Sequence, residues 1–188
     1  RMNTPERANL SKQETSSITE YLQRHFLSNV PTILPERTMS FLKRHLWKSD
    51  FGEEDIYLDL IYIPSVHTAL LPYLTAGRPA DTARGASEEL FILYLNTHSG
   101  TVPPWDLADI AIMRDTNGNE LHALSWEVIY DDGQLHHRQG LLSFPSIDTD
   151  EVAGIEIEID LPGMRKRFFL WDLPIPNFNP EPVEQNDA

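Results

Sequence analysis

The sequence predicts a mainly β protein, an antiparallel β-sandwich of immunoglobulin-like architecture with one or two helices before it. Three observations carry that reading. From Glu88 onward, short apolar runs recur roughly every ten residues, separated by turn residues, which is the spacing of sandwich strands. Ile155, Ile157 and Ile159 alternate with Glu156 and Glu158, as expected of a strand with one face in a core and the other in water. Asp115-Thr116-Asn117-Gly118-Asn119 is a hairpin signal, because Asn-Gly tolerates positive φ at both turn positions.

Taken in order, Arg1–Lys12 is polar and without pattern. From Ser16 or Ser17, Ile18, Tyr21, Leu22 and Phe26 fall at helical spacing, with Glu20 in the first turn, so an amphipathic helix is expected to end before Pro31. Met39, Leu42 and Leu46 share a helical face within Thr38–Lys48 and suggest a second short helix. Ile56–Ile63 alternates and stops at Pro64, as a strand would. Ser65–Ala86 holds Pro72, Gly77, Pro79 and Gly85 and reads as an excursion from the sheet, with a helical turn over Val66–Leu74. The remaining strands are expected at Glu89–Leu95, Ile110–Arg114, His122–Tyr130, Leu135–Phe144, Gly154–Ile159 and Arg167–Leu173. Asp131-Asp132-Gly133 supplies a second turn. These signals divide the chain into a helical extension over 1–50, a sandwich over 51–173, and a Pro-rich acidic tail over 174–188.

Composition narrows the chemistry. A chain of 188 residues with 40% hydrophobic content can bury one sizeable core. Its net charge of −14 repels nucleic acid and anionic lipid, since no basic patch exists to displace phosphate counterions. With no cysteine, disulfides, thiolate metal sites and thiol catalysis are excluded. No apolar run reaches the length of a membrane span. The chain opens at Arg1 without an initiator methionine, which fits a processed or trimmed product, and the sequence itself does not show a lost signal or lipid anchor.

The unusual chemistry gathers between Glu88 and Pro145. His98, His136 and His137 are the candidate metal ligands, because imidazole is the natural ligand for zinc or copper where thiolates are absent. Adjacent strand residues face opposite ways, so one of His136 and His137 would join His98, with Asp106, Asp131 or Asp132 as the carboxylate. The competing reading has one histidine hydrogen-bonded at a sheet edge and the other solvated. Arg138 could clamp a carboxylate on a ligand or partner, or pair with a neighbouring strand, with Glu127 as its candidate. Trp126 and Trp171 read as core anchors. Trp105, after Pro103-Pro104, reads equally as core or as a contact surface. Asp115-x-Asn117-x-Asn119 opens like a calcium loop, but its glycine is misplaced and Trp126 stands where a bidentate Glu is needed. No nucleophile elbow, separated carboxylate pair or Gly-rich phosphate loop is present, so an enzyme is not expected.

These segments form a familiar order. Asn96-Thr97-His98-Ser99, Trp105-Asp106-Leu107, Arg114-Asp115-x-x-Gly118-Asn119-Glu120 and Ser125-Trp126-Glu127 come first. His136-His137-Arg138-x-Gly140-x-Leu142-x-Phe144-Pro145 and Phe168-x-Leu170-Trp171-Asp172-Leu173 follow. Over Ile56 to Leu173 the chain resembles poorly characterised bacterial and archaeal extracytoplasmic domains, often borne on lipoproteins. It departs from them at Gln134-Leu135, where glycines would precede the histidines, and in its long Ser65–Ala86 excursion. The resemblance implies a secreted or envelope-facing sandwich and brings no activity with it.

Two functions are expected. One is a non-catalytic extracytoplasmic binding module, with a zinc or copper ion on the histidine cluster. The other is a structural subunit of an envelope or filament assembly, docking through its N-terminal helix and C-terminal arm. Ile175 and Phe178 motivate the second, since a disordered tail has little use for large apolar groups. Either function calls for protein partners or self-assembly.

Overall fold

The computed structural model of the chain describes residues 34–52, 55–75 and 81–179, with only the backbone at Thr82. The amphipathic helix expected before Pro31 lies outside the described residues, as does most of the acidic tail.

Two antiparallel sheets form the body. The first has the order β1-β2-β3-β7-β6, from Trp47–Asp50, Ile56–Ile63, Glu88–Thr97, His137–Pro145 and Ser125–Asp131. The second has the order β5-β4-β8-β9, from Glu120–His122, Ala111–Asp115, Gly154–Ile159 and Arg167–Asp172. Alternation decides what each strand gives to the core. Ile56, Leu58, Leu60 and Tyr62 of β2 and Phe91, Leu93 and Leu95 of β3 meet Met113, Ile155, Ile157, Phe169 and Trp171 of the other sheet in one buried cluster. Ile61 and Ile63 of β2 and Leu90 and Ile92 of β3 face the other way, into a second cluster. The central strands are therefore buried on both faces, which is why they read as nearly continuous apolar runs. Each such side chain contributes roughly 1.5–3 kcal/mol by leaving water.

The second cluster is closed by the helical segments. Helix α1 (Glu36–Phe41) runs on into a π-helical turn, Leu42–Leu46, that buries Leu42 and Leu46 against the first sheet. A 3₁₀ turn (Ser65–Leu70) and the one-turn helix α2 (Leu71–Leu74) add Leu70, Leu71 and Leu74. Residues 65–74 of the excursion thus cover the first sheet's outer face. A second 3₁₀ turn, Thr82–Ala86, fastens the excursion: Arg84 Nη2 donates to Ser125 Oγ at 2.7 Å, Ser143 Oγ at 2.8 Å and Glu88 Oε2 at 2.8 Å.

Three expectations need correction. The helix expected over Thr38–Lys48 spans Glu36–Leu46, and Trp47 begins an edge strand inside the segment read as helical extension. The single strand expected over His122–Tyr130 is two, because the chain leaves the second sheet after His122 and joins the first at Ser125. The Asp115–Asn119 turn has positive φ at Gly118 only. Asp115 stabilises it by accepting N–H bonds from Asn117 and Asn119, so its carboxylate is occupied by the turn itself.

Ile155, Ile157 and Ile159 face the core as expected. Glu158 faces away from it but not into water, lying buried beneath Lys166 and Arg114 at 2.5 and 2.7 Å. The Lys166 ammonium first, then Arg114, hold its carboxyl below the usual range.

The arm after β9 folds back on its own domain. His67 Nε2 lies 3.0 Å from the Pro176 carbonyl oxygen, Ile175 packs against both clusters, and Phe178 stacks on Phe41 with ring centroids 4.3 Å apart. Among the described residues no helix is long and apolar enough to cross a membrane.

Candidate functional site

One end of the first sheet, where β2 begins, β3 ends and β7 begins, collects the groups that the sequence singles out. Strand register sets Tyr57, Asn96 and His137 abreast. Alternation turns all three away from the core that Ile56 and Leu95 enter. His137 Nδ1 lies 2.9 Å from Asn96 Oδ1.

Asp55 anchors the neighbouring loop. It sits in the left-handed region with φ of 60°, which aspartate tolerates better than most residues. Its carboxylate accepts Ser99 Oγ–H at 2.6 Å and Tyr57 O–H at 2.7 Å. The Ser99 hydroxyl first, then that of Tyr57, lower its pKa from the ordinary 3.8 to about 2. His98 Nδ1 stands 3.7 Å from Asp55, and its ring meets the Tyr57 edge at 4.9 Å between centroids. Phe51, 76% exposed, lies on the other side of Tyr57 at 6.2 Å. Ser99 donates to the Asp55 carboxylate and His98 also turns to Asp55, so the imidazole does not stand between the serine and the acid as it does in a serine–histidine–acid relay.

The carboxylates expected to complete a metal site have other work. Asp132 accepts backbone N–H bonds from Gln134, His136 and His137. Partial burial pushes its pKa up, but these donors outweigh it and leave it lowered. Asp131 accepts from Gly133 N–H and Asp106 from Ala108 N–H. His136 gives its carbonyl to Thr97 N–H. Among the described residues no group of three or more His, Asp or Glu side chains is placed to hold a metal ion.

Arg138 is largely buried. Its Nη1 donates to the Trp105 carbonyl at 3.1 Å, and its Nε lies 3.6 Å from Asp131. The pairing with Glu127 expected from sequence does not form. The register of β6 on β7 sets Glu127 opposite Leu141, three residues from Arg138, and an irregularity between Val128 and Tyr130 brings Asp131 opposite Arg138. Glu127 stands 3.5 Å from Arg84 instead. Trp105 is half-buried against the main core, so Arg138 and Trp105 together brace the lip of the sandwich. Ile175 and Phe178, nominated as interaction residues, are engaged with their own domain as described above.

Two polar centres escaped the sequence reading. One is Arg84. The other is Tyr62 with Glu89: the hydroxyl donates to Glu89 Oε2 at 2.6 Å, and Glu89 Oε1 accepts Ile147 N–H at 3.3 Å. Burial first, then the carboxylate, push the Tyr62 hydroxyl far above its usual pKa. A signal for Glu89 was available. Phe91, Leu93 and Leu95 face inward, so the same alternation turns Glu89 inward too.

Comparison of the chain with known protein families, with curated proteins and with solved structures finds no match.

Proposed function

We propose that this chain is a non-catalytic binding module that engages a protein partner on the outer side of a membrane through the Phe51–Tyr57–His98–His137 end of its first sheet. One observation carries the reading. Phe51 and His98 stand strongly exposed beside the Tyr57 ring, whose hydroxyl is held by Asp55, which Ser99 holds in turn. Exposed aromatic and imidazole groups on a prearranged base suit recognition, because little side-chain freedom is lost when a partner arrives. The extracytoplasmic setting rests on the resemblance of the Asn-Thr-His-Ser, Ser-Trp and His-His-Arg-x-Gly segments. The immunoglobulin-like architecture belongs to the same reading, supported by two stacked antiparallel sheets with a shared core.

The reading places recognition in hydrogen bonding and ring contact rather than in a zinc or copper ion. Elemental analysis of untagged protein tests that choice: near-stoichiometric zinc or copper that disappears in His98→Ala would replace it with a metal-centred one. The binding face is tested by placing a photo-crosslinking side chain at Phe51 and, separately, at Phe168 on the second sheet. A discrete heterologous adduct from position 51 alone is expected. Adducts to a second copy of this chain, or from position 168 alone, would favour the structural-subunit alternative. That alternative drew on Ile175 and Phe178, which pack within this domain.

A further inference from the structure

At the opposite end of the first sheet lies a cleft of about 690 Å³, a size that suits a small organic ligand. Its lining includes Tyr62 and Glu89, with Pro64, Val66 and Ile147 on its walls and the arm residues Pro174, Ile175 and Pro176 across one side. Asp150 also lines it. Glu89 is only 7% exposed, yet its described partners are the Tyr62 hydroxyl and the Ile147 amide. Among the described residues no ion pair joins it to Lys, Arg or His.

That arrangement is unusual. Two neutral donors hold the carboxylate in place without neutralising it, and buried charges are ordinarily paired. Elsewhere in the molecule the rule is kept: buried Glu158 has Arg114 and Lys166, and buried Arg167 has Asp50 at 2.6 Å. The cleft beside Glu89 leaves room for the missing cation to come from outside. Its proline, valine and isoleucine walls suit an apolar stem behind that cation. A guanidinium would ask for a fork of two acceptors in one plane, whereas Glu89 Oε2 is already taken by Tyr62 at 2.6 Å. A compact ammonium needs less of the carboxylate.

From this we infer that the cleft is a binding site for a primary alkylammonium group on a short apolar stem, with Glu89 as its counter-ion and Tyr62 holding Glu89 in position. The same chemistry is offered by a free alkylamine and by the side chain of a lysine in a partner protein. The site is separate from the proposed binding face and stands or falls without it.

The test is titration of the full chain with four probes, followed by amide NMR: n-butylammonium, Nα-acetyl-lysine methylamide, n-butanol and butyrate. Saturable shifts at Ile147, Ser146 and the 173–177 arm are expected with one or both ammonium probes and not with the alcohol or the carboxylate. If only the lysine derivative binds, the source is a protein side chain; if both bind, the site takes alkylammonium groups generally. Glu89→Gln keeps an acceptor for Tyr62 and should weaken ammonium binding at least tenfold. Equal response to n-butanol, or no saturable response to either ammonium probe, overturns the inference. The comparison among probes on the unaltered protein decides the matter even if Glu89→Gln fails to fold.

Discussion

Strand β2 carries a tyrosine–carboxylate pair near each of its ends, and the two differ in almost everything except geometry. Tyr57 donates to Asp55 at 2.7 Å, and Tyr62 donates to Glu89 at 2.6 Å. The first pair is half-buried where β2 begins, and its visible consequence is on the acid, whose pKa hydroxyl donors lower to about 2. The second is buried where the main core meets the cleft, and its consequence is on the phenol, which burial holds protonated. The same bond therefore positions an exposed surface at one end and satisfies buried polar atoms at the other. Burial makes the difference: the Tyr57 bond is half-buried and the Tyr62 bond is buried, so losing a partner costs less at the first than at the second.

The largest test of that contrast is Glu89→Ala. It removes the acceptor for both the Tyr62 hydroxyl and the Ile147 amide, and two buried donors without partners should cost about 3 kcal/mol in urea unfolding. A loss below about 0.5 kcal/mol would mean that water already solvates this pair, and the contrast would collapse.

Acid and alkali should separate the pairs next. Asp55 has a folded pKa of about 2 against an ordinary 3.8, so its contribution is complete above the higher value and disappears as pH falls toward the lower. Ser99→Ala removes the largest cause and should move the Asp55 carboxyl back up, as followed by ¹³C NMR. Tyr62 has a raised pKa, so its contribution is complete below the ordinary tyrosine value of about 10 and is lost at higher pH. Its phenolate absorbance should appear only as the protein unfolds. Phenolate at Tyr62 in folded protein near pH 10 would contradict its burial.

The smallest effect is expected at Leu135, which holds φ of 62° in the turn before His136 and His137. Leucine is strained there and glycine is not, so Leu135→Gly should stabilise the chain by about 0.5 kcal/mol. A loss of stability would show that leucine packing outweighs the backbone.

The same contrast explains what was legible in the sequence. Gly154–Ile159 was readable because its isoleucines alternate into one core, and Ile56–Ile63 because burial on both faces makes it a dense apolar run that stops at Pro64. Trp47–Asp50 was not, since four residues on a sheet edge, directly after a helical turn, show no alternation to read. The switch of sheets between His122 and Ser125 was equally hidden, because two residues without Gly or Pro change sheets and leave the apolar pattern unbroken. That Asn96, His98 and His137 share one end follows from the long-range pairing of β3 with β7 and was half visible. The partnerships were not: Tyr62 finds Glu89 across 27 residues and Asp55 finds Ser99 across 44, and local spacing carries no trace of either. Arg138 shows the limit most sharply: strand register places Glu127 opposite Leu141, and an irregularity in β6 sets Asp131 opposite Arg138, neither of which local sequence reveals.

The most direct test of the central claim is a paired one: urea unfolding of Tyr62→Phe and Tyr57→Phe under identical conditions. Each deletes a single hydroxyl from a pair of nearly equal geometry on the same strand. The account predicts a loss of about 1.5–2 kcal/mol for Tyr62→Phe, from a buried bond to a charged acceptor, and an unchanged midpoint for Tyr57→Phe. Equal losses in the two variants, or a greater loss at Tyr57, would contradict it.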